Sequence, residues 1–123
     1  MERVVITGMG TVNSLGLNVQ ESWTNAINGV SGVGLITLFD SSPLGVNIAA
    51  EVKNFDPDKY MDAKEARRRD RYEQLGAAAA LEALQSSGLQ VTNANAGRIG
   101  VIVSSAIGGM KSLQDAVLSN HME

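Results

Sequence analysis

Lys64, Arg67, Arg68 and Arg71 fall at i, i+3, i+4 and i+7, so a helix through them would gather four cations on one face. Cations grouped in this way dock an anion or an acidic surface. Residues 63–74 hold five cations and three acids, net +2, in a chain whose formal net charge is −3. A solvated face whose charges pair with Glu65, Asp70 and Glu73 accounts for the same residues, so both readings stand. Arg69 falls on the apolar side and reaches Glu73 one turn on, which predicts a partly buried structural ion pair. A second stretch, Ser104 to Gly109, reads SSAIGG: five side chains are tiny and Ile107 alone is large and apolar. Glycine pairs let a backbone turn sharply or approach a ligand closely, and open α/β sheets place ligands in the loops at the carboxyl ends of strands. A tight strand-to-helix turn with no ligand also fits.

Reactive groups are otherwise scarce. The 123 residues include no cysteine and one histidine, His121. That excludes a cysteine nucleophile, thiolate metal ligands and disulfides within them, and leaves nothing for a histidine metal cluster or a Ser-His-Asp arrangement. His121 has no partner group nearby in sequence and reads as a solvated terminal residue. No catalytic residue and no metal ligand is assigned. The net charge gives no preference for nucleic acid or membrane. No apolar stretch approaches the ~18 residues of a membrane span, and Met1-Glu2-Arg3 leads directly into a strand-like run without a secretory leader, so the chain reads as cytoplasmic. A hydrophobic content of 44% and a charged content of 19% suit a globular fold.

The elements that would position these groups suggest an α/β fold. Ile99 to Val103 is a β-branched run bounded by turn signals, which suits a strand covered on both faces of a parallel sheet. Arg3 to Thr7, RVVIT, suits a second buried strand ending at Gly8. The following Gly8-Met9-Gly10 starts a dinucleotide fingerprint, but Asn13 stands where its third glycine belongs. Asn18 caps the first helix with Glu21 three residues on, and Gly29 supplies its left-handed stop. Val19, Trp23, Ala26, Ile27 and Val30 share its apolar face, placing Trp23 in the core. Ser31 to Asn47 reads as loop anchored by Leu38 and Phe39, and Val46 to Val52 as a short edge strand. Asp56-Pro57 opens a single helical turn that brings Tyr60 inward. Asp62 and Glu65 make a capping box that opens the longest helix, running to Gly88. Leu75, Gly76, Ala79, Ala80, Ala83 and Leu84 give that helix a stripe of small residues suited to close packing. Met110, Leu113 and Val117 repeat as one face of a last helix.

Taken together and in order, RVVITGMGTVNSLG, ESWTNAINGVSGV, Phe39-Asp40, KEARRRD at Lys64 to Asp70, and RIGVIVSSAIGG make the whole chain resemble the amino-terminal part of a β-ketoacyl-acyl-carrier-protein synthase, most similar to the type II condensing enzymes of bacterial fatty acid synthesis. Two departures are visible: Ser14 where the family usually has proline, and Ser104-Ser105-Ala106 where it has Gly-Ser-Gly. The resemblance implies a thiolase-like layered α-β-α-β-α fold, of which residues 1–123 would form part of the first half, in a homodimer. It implies decarboxylative condensation of an acyl-enzyme with a malonyl thioester, both delivered as phosphopantetheine thioesters by acyl carrier protein, with no resident cofactor. The family's catalytic cysteine and two histidines would lie beyond residue 123, so this stretch alone is expected to be inactive. Ile107 matches the position that lines the acyl pocket near the dimer interface, with Gly108 beside it in the substrate-binding loop. Lys64, Arg67 and Arg68 match basic positions that contact the acidic carrier. A catalytically silent chain-length-factor-like partner subunit would share these segments, and a nucleotide-binding module is suggested only by strand-Gly-Met-Gly.

Overall fold

In the computed structural model, which describes residues 2–121, a single helix organises the rest of the chain. The elements are α1 (Val19–Ile27), β1 (Gly34–Leu35), β2 (Ile48–Ala49), a 3₁₀ turn (Pro57–Lys59), α2 (Ala63–Ala66), α3 (Arg71–Ser87), a second 3₁₀ turn (Ala96–Arg98) and α4 (Met110–His121). α3 is the spine. The segment Gly8 to Gly10 lies flat on its stripe of small residues: a Cβ added to Gly10 would stand 2.7 Å from the Ala83 amide nitrogen and closer still to the Ala79 carbonyl. Ala78 on the same helix is 1% exposed, and the Val103 side chain would meet a Cβ on Gly76 at 3.4 Å. Small side chains thus let the backbone come close, as their spacing predicts.

Polar ties hold the same elements to α3. The Glu82 carboxylate accepts from the Thr11 amide at 2.9 Å and from the Val19 amide, the first residue of α1, at 2.8 Å. Asn13 organises the turn between them. It accepts from the Leu15 amide at 2.8 Å and donates to the Thr11 and Ser22 hydroxyls at 3.0 and 3.1 Å. The Arg71 guanidinium donates to the Val52 carbonyl at 2.7 Å and sits 5.8 Å over the Phe55 ring, which itself stacks on Tyr60 with centroids 5.4 Å apart.

The local caps form where expected, but without the reciprocal bonds of the two expected capping boxes: Glu21 accepts from the Leu17 amide at 2.9 Å and Glu65 pairs with Arg69. Asn18 accepts from the Glu21 amide at 2.8 Å, Asp56 caps the Pro57 turn, and α1 and α3 stop at Gly29 and Gly88 with φ of 67° and 65°, a conformation open to glycine at little cost. The long helix, however, is two helices. Asp62 caps α2, which ends after Ala66, and α3 begins afresh with its own capping box between Asp70 and Glu73. The Asp70 amide donates to the Glu73 carboxylate at 3.0 Å, so a second start signal overrides continuation of the first helix.

The expected strands differ more. Arg3 to Thr7 and Ile99 to Val103 have extended backbones with no ladder partner among the described residues, and Val4, Ile6, Val101 and Ile102 are more than four-fifths exposed. A β-branched run becomes a strand only when another strand supplies its hydrogen bonds and other elements cover its faces. The described sheet is a two-stranded antiparallel ribbon with Gly34 opposite Ala49 and Leu35 opposite Ile48. It places a strand inside the stretch read as loop and shortens the expected edge strand. Trp23, Leu38 and Phe39, expected in the core, are more than half exposed, because among the described residues no element covers them. The side chain of His121 lies outside the described residues.

Candidate functional site

Breaking the helix between Ala66 and Arg71 sorts the cations. Arg69 bonds Glu65 at 3.2 Å and approaches Glu73 at 3.9 Å, so it takes two of the three acids that could have neutralised its neighbours, and the third, Asp70, accepts from the Ser112 hydroxyl. This ion pair is the expected one with a second partner added, but it is half-exposed where partial burial was expected, since the turn carries Arg69 outward. Arg71 turns away to Val52 and Phe55. Lys64, Arg67 and Arg68 remain exposed, and among the described residues no carboxylate lies within ion-pair distance of any of them. The pairing that would make this face merely solvated is therefore absent there. Among the described residues, three positive charges thus stand without an ion-pair partner on one short turn.

Ile107 projects from the loop ahead of α4 and is 76% exposed. The loop is closed by the Gly108 amide donating to the Ser105 hydroxyl at 3.0 Å, and Gly108 adopts φ 71°. A Cβ there would press on the Tyr72 ring at 3.2 Å, so glycine is required both by the backbone and by the neighbour. Gly109 lies against the Asp70 carboxylate, which also accepts from the Ser112 hydroxyl. Tyr72 and Asp70 belong to the start of α3. The basic turn and the Ile107 loop, almost 40 residues apart in sequence, thus meet at the same helix end.

Gly8 and Gly10 are consumed by packing on α3, and Asn13 by the turn it organises, which leaves the strand-Gly-Met-Gly pattern without a phosphate-facing backbone. A groove of about 650 Å³ runs beside them, lined by Met9, Thr11, Val19, Trp23, Ala26 and Ala83. Its lining is mostly apolar, without a cation to meet a phosphate. Among the described residues no cluster of histidine and acidic groups could hold a metal, and no helix is long and apolar enough to cross a membrane.

One acidic residue that the sequence gives no reason to single out is Glu51. It is buried and accepts from the Thr37 hydroxyl at 2.7 Å and from the Thr37 and Leu38 amides at 3.0 and 3.1 Å. The Thr37 side-chain bond, then its backbone bond, hold the Glu51 carboxyl below its ordinary pKa of 4.5. A carboxyl with a depressed folded-state pKa contributes stability above its unfolded value and loses it as pH falls through the folded one. Acidification below pH 4.5 is therefore expected to raise hydrogen exchange at the Thr37 and Leu38 amides beyond the intrinsic trend. Glu51→Gln should remove that acid dependence, and identical pH profiles in the two proteins would show that Glu51 does not carry it.

The chain matches the family described as Beta-ketoacyl synthase, N-terminal domain, over residues 1–123. It is 44% identical over 115 residues, 94% of its length, to the 3-oxoacyl-[acyl-carrier-protein] synthase 2 of Staphylococcus aureus strain N315, of which it covers 28%. It is 43% identical over 112 residues, 91% of its length, to the protein of the same name from Vibrio cholerae, of which it covers 27%. Among solved structures it resembles the ishigamide ketosynthase/chain length factor with a TM-score of 0.64 and 35% identity, over 70% of this chain and 21% of that one. The chain thus spans a little over a quarter of the length of the curated relatives it matches.

Proposed function

The chain belongs to the beta-ketoacyl synthase family through its N-terminal domain, and on that premise we propose that residues 1–123 are the amino-terminal part of a 3-oxoacyl-[acyl-carrier-protein] synthase of fatty acid elongation. The complete fold would be the thiolase-like layered sandwich, dimeric and cytoplasmic. The observation that carries the reading is the family match over residues 1–123, together with relatives named as such synthases that match 94% and 91% of the chain. In the reaction a cysteine thiolate outside these residues takes the acyl group from its carrier thioester. Malonyl thioester then loses carbon dioxide, its carbanion forms the new carbon–carbon bond at the acyl carbonyl, and the thiolate leaves. These residues contain no cysteine and hold no part of that covalent step. Their contribution is to bind: Lys64, Arg67 and Arg68 receive the acidic carrier, and Ile107 with Gly108 shapes the acyl pocket that its phosphopantetheine arm enters.

Acyl transfer and condensation by the full-length chain, followed by mass spectrometry of the acyl-enzyme, tests the reading. In that protein Ile107→Phe is expected to lower kcat/KM for the longest accepted acyl groups by about tenfold or more, since misfit of a methylene or two in an apolar pocket is worth roughly 1–3 kcal/mol. An unaltered chain-length profile would remove Ile107 from the pocket. The structural neighbour is itself a ketosynthase/chain length factor, which keeps a silent partner subunit as the second reading; a full-length chain that never becomes acylated would favour it.

A further inference from the structure

The Asp70 carboxylate touches two parts of the molecule that the proposed reaction uses separately. On one side Asp70 closes the basic turn and starts α3, its amide held by Glu73 at 3.0 Å, two residues after Arg68. On the other it receives the Ser112 hydroxyl from the first turn of α4 and fills the space beside Gly109, where a side chain would collide with it. Ile107 lies two residues before Gly109 on a short loop pinned at Ser105 and against Tyr72. The path from the docking cations to the pocket residue therefore runs through the start of α3, where Asp70 makes the hydrogen-bonded tie and the Tyr72 ring a packing contact. Glycine at 108 and 109 lets the loop follow that helix start closely, because no intervening side chain can absorb a shift.

We propose that Asp70 is a positioning residue that ties the carrier-docking turn to the Ile107 loop, so that an acidic carrier seated on Lys64, Arg67 and Arg68 steadies the loop in the geometry that admits its acyl arm. The inference rests on the proposed docking and pocket roles. It gives the carrier a second effect beyond encounter: a bound carrier fixes the shape of the entrance it delivers to.

Ser112→Ala cuts the tie on the α4 side while leaving the Asp70–Glu73 cap and all three cations intact. In the full-length chain this variant should raise hydrogen exchange about tenfold at the Met110 and Leu113 amides, which donate to Gly108 and Gly109, and leave the Gln74 amide, which donates to Asp70, unchanged. Acyl carrier protein should slow exchange at Leu113 in the parent but not in Ser112→Ala. The kcat/KM for a carrier-bound acyl group should fall about tenfold while the same acyl group on free pantetheine is unaffected, and Ser112→Thr should restore both. Unchanged exchange at Met110 and Leu113, or an equal fall for both substrates, would overturn the coupling. Exchange that rises as expected while the parent shows no response to carrier would instead place the failure in the docking assignment, and the coupling would fall with it.

Discussion

Reversing charge at Arg67 and Arg68 together, in the full-length chain, is expected to weaken binding of acyl carrier protein about thirtyfold at low salt with almost no change in fold stability. Each exposed pair is worth roughly 0.5 kcal/mol; reversal loses the attraction and adds a repulsion, and two sites give about 2 kcal/mol. The effect should fall mainly on the association rate and shrink as salt shortens the Debye length to a few ångströms. Stability is spared because neither side chain has an ion-pair partner among the described residues, and surface changes of that kind stay within about 0.5 kcal/mol. Arg69→Glu is the informative contrast. It sets a third carboxylate between Glu65 and Glu73, so its damage should register first in the local structure of the α2–α3 turn. Titration of labelled carrier at low and high salt reads the first result, and unchanged affinity at low salt would dismiss the docking assignment.

Gly10→Ala is expected to be far more damaging than its single methyl suggests. The added carbon would fall between the Ala79 carbonyl and the Ala83 amide nitrogen. Both are backbone atoms of a formed helix and have no rotamer to swing aside. Residues 8–10 would have to lift from α3, straining the bond between the Thr11 amide and Glu82. A loss of about 3 kcal/mol, at the upper end for overpacking, is the expected result from denaturant unfolding of the full-length chain. Gly45→Ala, where a Cβ meets nothing within 4 Å, should be close to neutral in the same assay. Equal effects of the two changes would mean that Gly10 is not packed as described.

These two sites also show which features can be read from a sequence. The cap at Asn18, the proline turn at Pro57 and the glycine stops at Gly29 and Gly88 depend on neighbours within a few residues, and they formed where expected. The break before α3 is equally local: Asp70 and Glu73 have capping-box spacing, but the earlier start signal at Asp62 and Glu65 with the stop at Gly88 suggests one continuous helix. Glu51 and Glu82 could not be singled out, since their partners lie 14 and 71 residues away and nothing beside either one announces them. The runs Val4 to Ile6 and Val101 to Val103 carry strand composition, yet pairing is a property of two segments, and the described residues supply only one of each pair. The cluster of cations around Arg67 and the lone isoleucine at 107 stand out in the sequence because their signal is composition within one short stretch.

The span of 71 residues between Thr11 and Glu82 sets a clock on biosynthesis. At roughly 5–20 residues per second, the segment ending at Thr11 waits about 4–14 s for the part of the helix it rests on to leave the ribosome. Throughout that interval Gly8 and Gly10 have no helix backbone to lie against. That segment therefore emerges unpacked and invites a holding chaperone, and codon choices that slow translation before Glu82 would lengthen the exposure.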